Sequence, residues 1–258
     1  MTTLDCPKCG APQPERNAIC ERCGIVFEKY WKYHPRPGED PAAAPIRPPR
    51  PARTLRRSQQ EQGPLMALLL PRPADYDPVA VGAQAALLVV LTVWGLALIG
   101  SSVESNAAGK SFLHMINLPF HEAGHVFFAP LGDFMRSLGG TLGQLLMPLI
   151  AMLVLLLKTR DPFGASVALW WLGENFLDIA PYVNDARAGV LPLVGGNFGH
   201  SSPYGFHDWE YLLTETGLLR MDHQLAQASH ALGSLIMLAA LGWGAVLVYR
   251  RFAARGQR

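Results

Sequence analysis

The rhythm of polar and apolar positions changes near residue 77. Before it, short polar stretches alternate with proline, arginine and glutamine. Beyond it, apolar runs recur, each near the roughly 20 helical residues that cover a hydrocarbon core of about 30 Å. They fall at 79–100 ("VAVGAQAALLVVLTVWGLALIG"), roughly 111–132, 138–157 ("LGGTLGQLLMPLIAMLVLLL"), roughly 163–183 and 225–249. The pattern predicts an all-α polytopic membrane protein with about five transmembrane or partly inserted helices. The first, third and last runs read as ordinary lipid-facing helices. The second and fourth carry His121, Glu122, His125, Glu174 and Asp178, with Asp185 just beyond. Charges at that depth face a protein interior or a water cavity, so these two segments are expected to hold the function. The Gly-rich loop 186–224, containing "GGNFGHSSPYGFHDWEYLL", is too polar to span and long enough to fold back over a site.

The N-terminal segment departs from this pattern because it holds all four cysteines, in "CPKCG" (Cys6, Cys9) and "CERCG" (Cys20, Cys23). Each CxxC turn offers two thiolates, and two such turns complete a closed tetrahedral zinc site. Residues 1–34 are therefore read as a zinc ribbon that needs its structural metal to fold. A redox dithiol or a pair of disulfides is the competing reading. No cleavable signal peptide precedes the cysteines, so the ribbon is expected in the reducing cytoplasm. Residues 35–76, with Arg47, Arg50, Arg53, Arg56 and Arg57 among prolines, cannot build a core and read as a flexible tether. Its arginines flank the first apolar run, which by the positive-inside tendency keeps this end in the cytoplasm and against anionic lipid. Residues 77–258 form the membrane domain. The expected location is the inner (cell) membrane, multi-pass.

Half of the residues are hydrophobic and 16% are charged, with a net charge of +2. That balance gives no support to a nucleic-acid partner, since the basic residues sit beside a membrane span.

The chemistry lies in "HEAGH". On a helix, histidines at i and i+4 stack on one face and bind one zinc ion from one side. Glu122, beside that face, is placed as general base and acid, while Ala123 and Gly124 keep the motif small enough for close approach. A satisfied polar cluster between helices is the bland alternative. His114 and His230 read as buried, hydrogen-bonded histidines. His200, His207 and Asp208 form a minor cluster in a loop that either covers the zinc, binds substrate or is simply solvated.

With these residues the chain resembles the site-2-protease family of intramembrane zinc metallopeptidases, in particular its smaller, divergent bacterial members. One match is "HEAGH" on an early membrane helix; the other is "ENFLDIAPYVNDAR", similar to the family's Asn-containing, proline-punctuated segment ending in the aspartate ligand. The family pattern closes with Asp-Gly where this chain has Asp185 and Ala186. The resemblance covers roughly residues 79–190 and implies a catalytic zinc held by His121, His125 and Asp185, with Asp178 as second choice. It further implies Glu122 as the proton carrier and Asn175 at the substrate; outside the resemblance, His207 of the Gly-rich loop is a further candidate substrate contact. Pro181 is expected to break the helix before Asp185, and Arg187 either to stabilise that carboxylate or to compete with zinc for it. The implied activity is cleavage of transmembrane or membrane-adjacent peptide segments of membrane proteins, with the ribbon recruiting a protein partner. The rival reading is a non-catalytic, metal-binding membrane scaffold or adaptor.

Overall fold

The structure is a computed structural model that describes residues 3–14, 17–32, 34, 63–72 and 77–256. Most of the segment read as a tether lies outside the described residues. The chain divides into two units, 1–62 and 63–258.

The first unit is small. Strands β1 (Thr3–Asp5) and β2 (Pro12–Pro14) pair antiparallel, with Leu4 opposite Gln13, and α1 (Phe27–Trp31) follows. Its core is little more than Cys6, Cys20 and Phe27, with Ile25 and Trp31 against them. Each CxxC turn closes through the same bond, Gly10 N–H to Cys6 O and Gly24 N–H to Cys20 O, both 2.8 Å. Gly10 and Gly24 sit at φ 70° and 69°, a left-handed conformation that other residues adopt only with strain.

The second unit is helical. It comprises α2 (Pro64–Leu69), α3 (Pro78–Ile99), α4 (Phe112–Phe128), α5 (Asp133–Leu153), α6 (Pro162–Asn184), α7 (Asp208–Glu215) and α8 (Asp222–Ala253). The short α2 forms inside the stretch expected to be unstructured, with Pro64 at its first position, where the missing N–H costs nothing. Pro162 and Pro78 start α6 and α3 in the same way, and Asp161 and Asp77 cap them by accepting from Gly164 N–H and Val79 N–H.

Among the described residues, three helical stretches are long and apolar enough to cross a membrane: Pro78–Ile99, Asp133–Lys158 and Leu219–Ala253. The other two of the expected five do not meet that description. Helix α4 is 17 residues long, about 25 Å at 1.5 Å per residue. Helix α6 is long enough, but it spends its surface on protein: Trp170, Glu174, Asn175, Leu177, Asp178 and Val183 are all buried. It is the central helix. Leu91 and Leu98 of α3, Trp170 and Leu177 of α6, and Met237 and Ala240 of α8 form one core cluster. Ile179 and Val183, with Val103, Leu213 and Ala226, form a second. Glycines bring the helices together: a Cβ on Gly173 would meet Gly233 O at 2.8 Å, and one on Gly139 would meet Gly124 O at 2.6 Å. Close backbone approach through small residues is how helices associate without a hydrophobic drive between them.

The break expected at Pro181 is absent, and Pro119 does not end its helix either. Helix α4 runs through Pro119 and α6 through Pro181, the latter continuing to Asn184 with Asp185 N–H donating to Pro181 O. Pro181 lies in the last turn, where the lost bond is a single one and the chain leaves the helix soon after.

Candidate metal centres

The two CxxC turns of the first unit bring Cys6, Cys9, Cys20 and Cys23 together, with one ligand atom from each within 4.8 Å of the others. Cys6 Sγ lies 3.7 Å from Cys23 Sγ, and Cys9 Sγ 3.8 Å from Cys20 Sγ. The sulfurs are unbridged. Four sulfurs at these spacings fit a closed tetrahedral ion, and zinc is among the metals that thiolate donors favour. The expected ligand set is thus assembled as read.

In the second unit the group able to hold a metal is His121, His125 and Asp208. The histidines lie one turn apart on α4. Asp208 Oδ2 stands 3.2 Å from His121 Nε2 and 3.4 Å from His125 Nε2. The far side of each imidazole is already committed: His125 Nδ1 donates to Arg136 O at 2.9 Å, and His121 Nδ1 meets Gln144 Oε1 at 2.8 Å. With the protons on Nδ1, both Nε2 lone pairs converge on the Asp208 carboxylate, the arrangement that orients histidines for a metal. Gly140 supplies the room, since a Cβ there would come within 2.6 Å of both Nε2 atoms. Two imidazoles, one carboxylate and an open cavity match the donor set of a catalytic zinc.

The carboxylate is not the one expected. Asp185 ends α6 and turns away: its two oxygens accept from Val190 N–H and Leu191 N–H, both at 2.9 Å, and one also faces His207 Nε2 at 3.4 Å. Burial pushes its carboxyl up, but His207 and the two backbone donors outweigh this and hold it below the ordinary range. Asp178, the second choice, accepts from Asn117 Nδ2 at 3.0 Å and pairs with His114 Nδ1 at 2.9 Å. His114 is accordingly hydrogen-bonded, as expected of it. Arg187 does not reach Asp185; it makes a two-pronged pair with Asp222 at 2.8 and 2.7 Å.

The two residues expected at the substrate, Asn175 and His207, are both buried and engaged with neighbouring side chains and backbone. Asn175 is fully buried; its Oδ1 accepts from Gln144 Nε2 at 3.2 Å and its Nδ2 donates to Trp171 O at 3.0 Å, so it orients the glutamine that orients His121. His207 is also fully buried. It caps α7, its Nδ1 accepting from Glu210 N–H at 3.2 Å, which puts the ring proton on Nε2, toward Asp185. Asp208, the next residue, is thereby fixed at the first position of α7, and its own N–H donates to Tyr182 Oη at 3.1 Å. Burial pushes the Asp208 carboxyl up, yet His121 and His125 hold it below the usual carboxylate range. His200, in the same loop, bonds Gly189 O at 2.7 Å and lies apart from the metal group.

The three ligands open on a cavity of about 480 Å³. Glu122 lines it beside the histidines, with Thr141 and Tyr182 on the helical side and Leu193, Val194 and Phe206 on the loop side. The fold and its sites therefore define a helical protein with three membrane-length helices and two candidate metal centres. Compared with family models, curated proteins and solved structures, the chain matches none.

Proposed function

We propose that the second unit is a zinc-dependent peptide hydrolase of the membrane, of the kind that the resemblance to site-2 proteases suggests. The observation that carries this reading is the convergence of His121 Nε2, His125 Nε2 and Asp208 Oδ2 on one point of a cavity that Glu122 also lines. A zinc ion bound there would supply Lewis-acid polarisation of a water or of a peptide carbonyl. The chain's own residues do the rest. Glu122 Oε takes a proton from the attacking water and delivers it to the leaving amine. Gln144 and Arg136 O keep the imidazole protons on Nδ1, so that both Nε2 atoms stay available. The loop side of the cavity limits water around the reacting bond. In the N-terminal unit, the four-cysteine group holds a second, structural zinc and presents a surface for a protein partner.

The test is Glu122→Gln. Zinc per chain stays unchanged, because both imidazoles and Asp208 remain, while turnover falls by about 10²–10⁴-fold, the range for loss of a general acid–base. In cells this is read as accumulation of uncleaved membrane proteins on comparing native and variant proteomes. An unchanged proteome with unchanged zinc would replace the hydrolase by a metal-holding scaffold.

A further inference from the structure

The helix ends of the second unit are sorted by charge. Arg251 near the end of α8 donates to Gln84 Oε1 near the start of α3 at 2.8 Å, and Arg250 and Trp243 donate to Leu70 O and Leu69 O at 2.8 and 2.9 Å. The turn from α5 to α6 arrives at the same end, where Arg160 and Pro162 share a recess with Arg250 and Arg251. Lys158, Arg160, Arg250, Arg251 and Arg255 therefore gather at one end, and the two acids there, Asp77 and Asp161, are engaged as helix caps. Among the described residues, the opposite end holds four cations, Lys110, Arg136, Arg187 and Arg220, and there acids outnumber them: Arg136 is matched by Asp133 and Arg187 by Asp222, with Glu104, Asp185, Asp208, Glu210 and Glu215 besides.

The metal group lies at this opposite end. Asp208 follows α6 by way of the 186–207 loop, and the end of α6 packs with Val103, just past α3, and Ala226, near the start of α8. Helix α4 enters and leaves on the same side. Its side-chain hydrogen bonds and ring contacts to α6 fall between Trp171 and Tyr182, from the middle of that helix to its end. Helices α3, α5, α6 and α8 thus run the full depth of the unit and α4 does not, so the start of α3 and the end of α8 share a side.

We propose that the candidate metal site opens on the membrane face away from the cytoplasm, and that its substrates are membrane proteins presenting an apolar, extended segment at that outer surface. The orientation follows from cations collecting on the cytoplasmic side. It agrees with the unbridged four-cysteine group that precedes α3 in the chain, a chemistry suited to a reducing compartment. The substrate class, which rests on the hydrolase reading above, follows from the mouth of the cavity. The loop there is polar in composition, yet Val190, Val194 and Phe206 stand at least 60% exposed. Leu193 N–H donates to Asn197 O at 2.7 Å, and Pro192 bridges Phe198, so Val194 is presented from a tight turn rather than a loose strand. Exposed apolar groups at the level where a membrane helix ends suit the apolar residues of a segment leaving the bilayer. Such a segment has already lost the helical hydrogen bonds that protect its carbonyls, and it needs little unwinding before cleavage.

The experiment places single cysteines in the full-length protein at Val194, Asn197 and Arg255 and treats intact cells with a membrane-impermeant maleimide. Val194→Cys and Asn197→Cys are labelled at least tenfold above the parent chain, and Arg255→Cys reacts only after permeabilisation. Labelling of Arg255→Cys in intact cells, or protection of both loop positions until permeabilisation, overturns the orientation. Two loop positions guard against one variant failing to fold. A separate arm compares new N-termini on outer-face segments between native and Glu122→Gln cells. Loss of such termini in the variant supports the substrate class; no difference, with the labelling as expected, removes the substrate class and the hydrolase reading and leaves the orientation standing.

Discussion

In the N-terminal unit the outermost cysteines, Cys6 and Cys23, are 17 positions apart, and two nearly identical turns deliver all four sulfurs. In the membrane unit His121 and Asp208 are 87 positions apart, on α4 and on the first residue of α7, and they meet only because α6 and its following loop bring them together. The four cysteines could surround an ion using local chain alone; His121, His125 and Asp208 are gathered by the packed helices and face a cavity of about 480 Å³. A metal that builds structure needs only local chain, whereas a metal that performs chemistry needs a scaffold able to hold ligands without closing around the ion.

The largest effect that separates the two sites is loss of a ribbon ligand. Cys9→Ser removes a donor from a unit whose described core is three residues and the side chains around them, and zinc binding in such modules carries about 10–16 kcal/mol of folding free energy. The ribbon unfolds, seen as rapid proteolysis before residue 63, and metal analysis falls from two zinc ions per chain to one, the membrane unit keeping its own. Asp208→Asn does the reverse. It leaves the ribbon zinc in place and weakens the other site by more than the roughly 10–100-fold typical of an outer-shell change, as read by competition with a chelator. Equal loss from both sites in either variant would break the comparison.

Gly140→Ala sharpens it, because the added Cβ would come within 2.6 Å of both Nε2 atoms and crowd the donors while removing none of them. Metal affinity of the membrane site falls while the ribbon's is unchanged. Gln144→Leu acts one bond further out, freeing His121 Nδ1 and allowing the wrong tautomer; a loss of about 10–100-fold in metal affinity is expected. Its readout is the visible spectrum of the cobalt-substituted site, which changes with imidazole orientation and not with a general loss of stability.

The smallest effect is on pH stability. Asp185 has a lowered folded-state value, so its contribution is fully present above the unfolded carboxyl value of about 3.9 and is lost as pH falls through the lower folded value. Asp185→Ala leaves Val190 N–H, Leu191 N–H and His207 without their acceptor, at a cost of about 1–3 kcal/mol near neutral pH. Thermal unfolding compared between pH 7 and pH 3 shows the gap between native and variant closing at the acid end.

These residues also show where the sequence was readable. "CPKCG…CERCG" and "HEAGH" are local: spacing alone puts the donors on one turn or one helical face. The long apolar runs of α3, α5 and α8 are legible for the same reason, since length and composition decide them. Asp208 is not local. Its signal was "HDWEYLL", a histidine able to cap a helix followed by an acid at the first helical position, and nothing in that pattern says which helix the acid will face. Asp185 looked better because it ends a polar helix near a proline, but a carboxylate at a helix end beside a loop also serves two free backbone N–H groups, and here it does. Asn175 and Gln144 likewise face each other across α5 and α6, a pairing that only packing reveals.

The buried polar stretch of α6 bears on how the protein is made. Glu174, Asn175 and Asp178 lie in the middle of that helix, and each acidic group costs a lone helix about 2.5–3.5 kcal/mol at the bilayer centre on insertion scales. In the finished molecule Asn117 and His114 satisfy most of their oxygens, but those partners belong to α4, which is synthesised earlier, while the backbone contact at Gly233 arrives only with α8. Helix α6 is therefore retained by its neighbours rather than admitted on its own merit, and biogenesis has to keep α3 to α5 close at hand until α8 emerges from the ribosome. A chain stopped before residue 222 would leave the Gly173 face of α6 without the backbone it packs against.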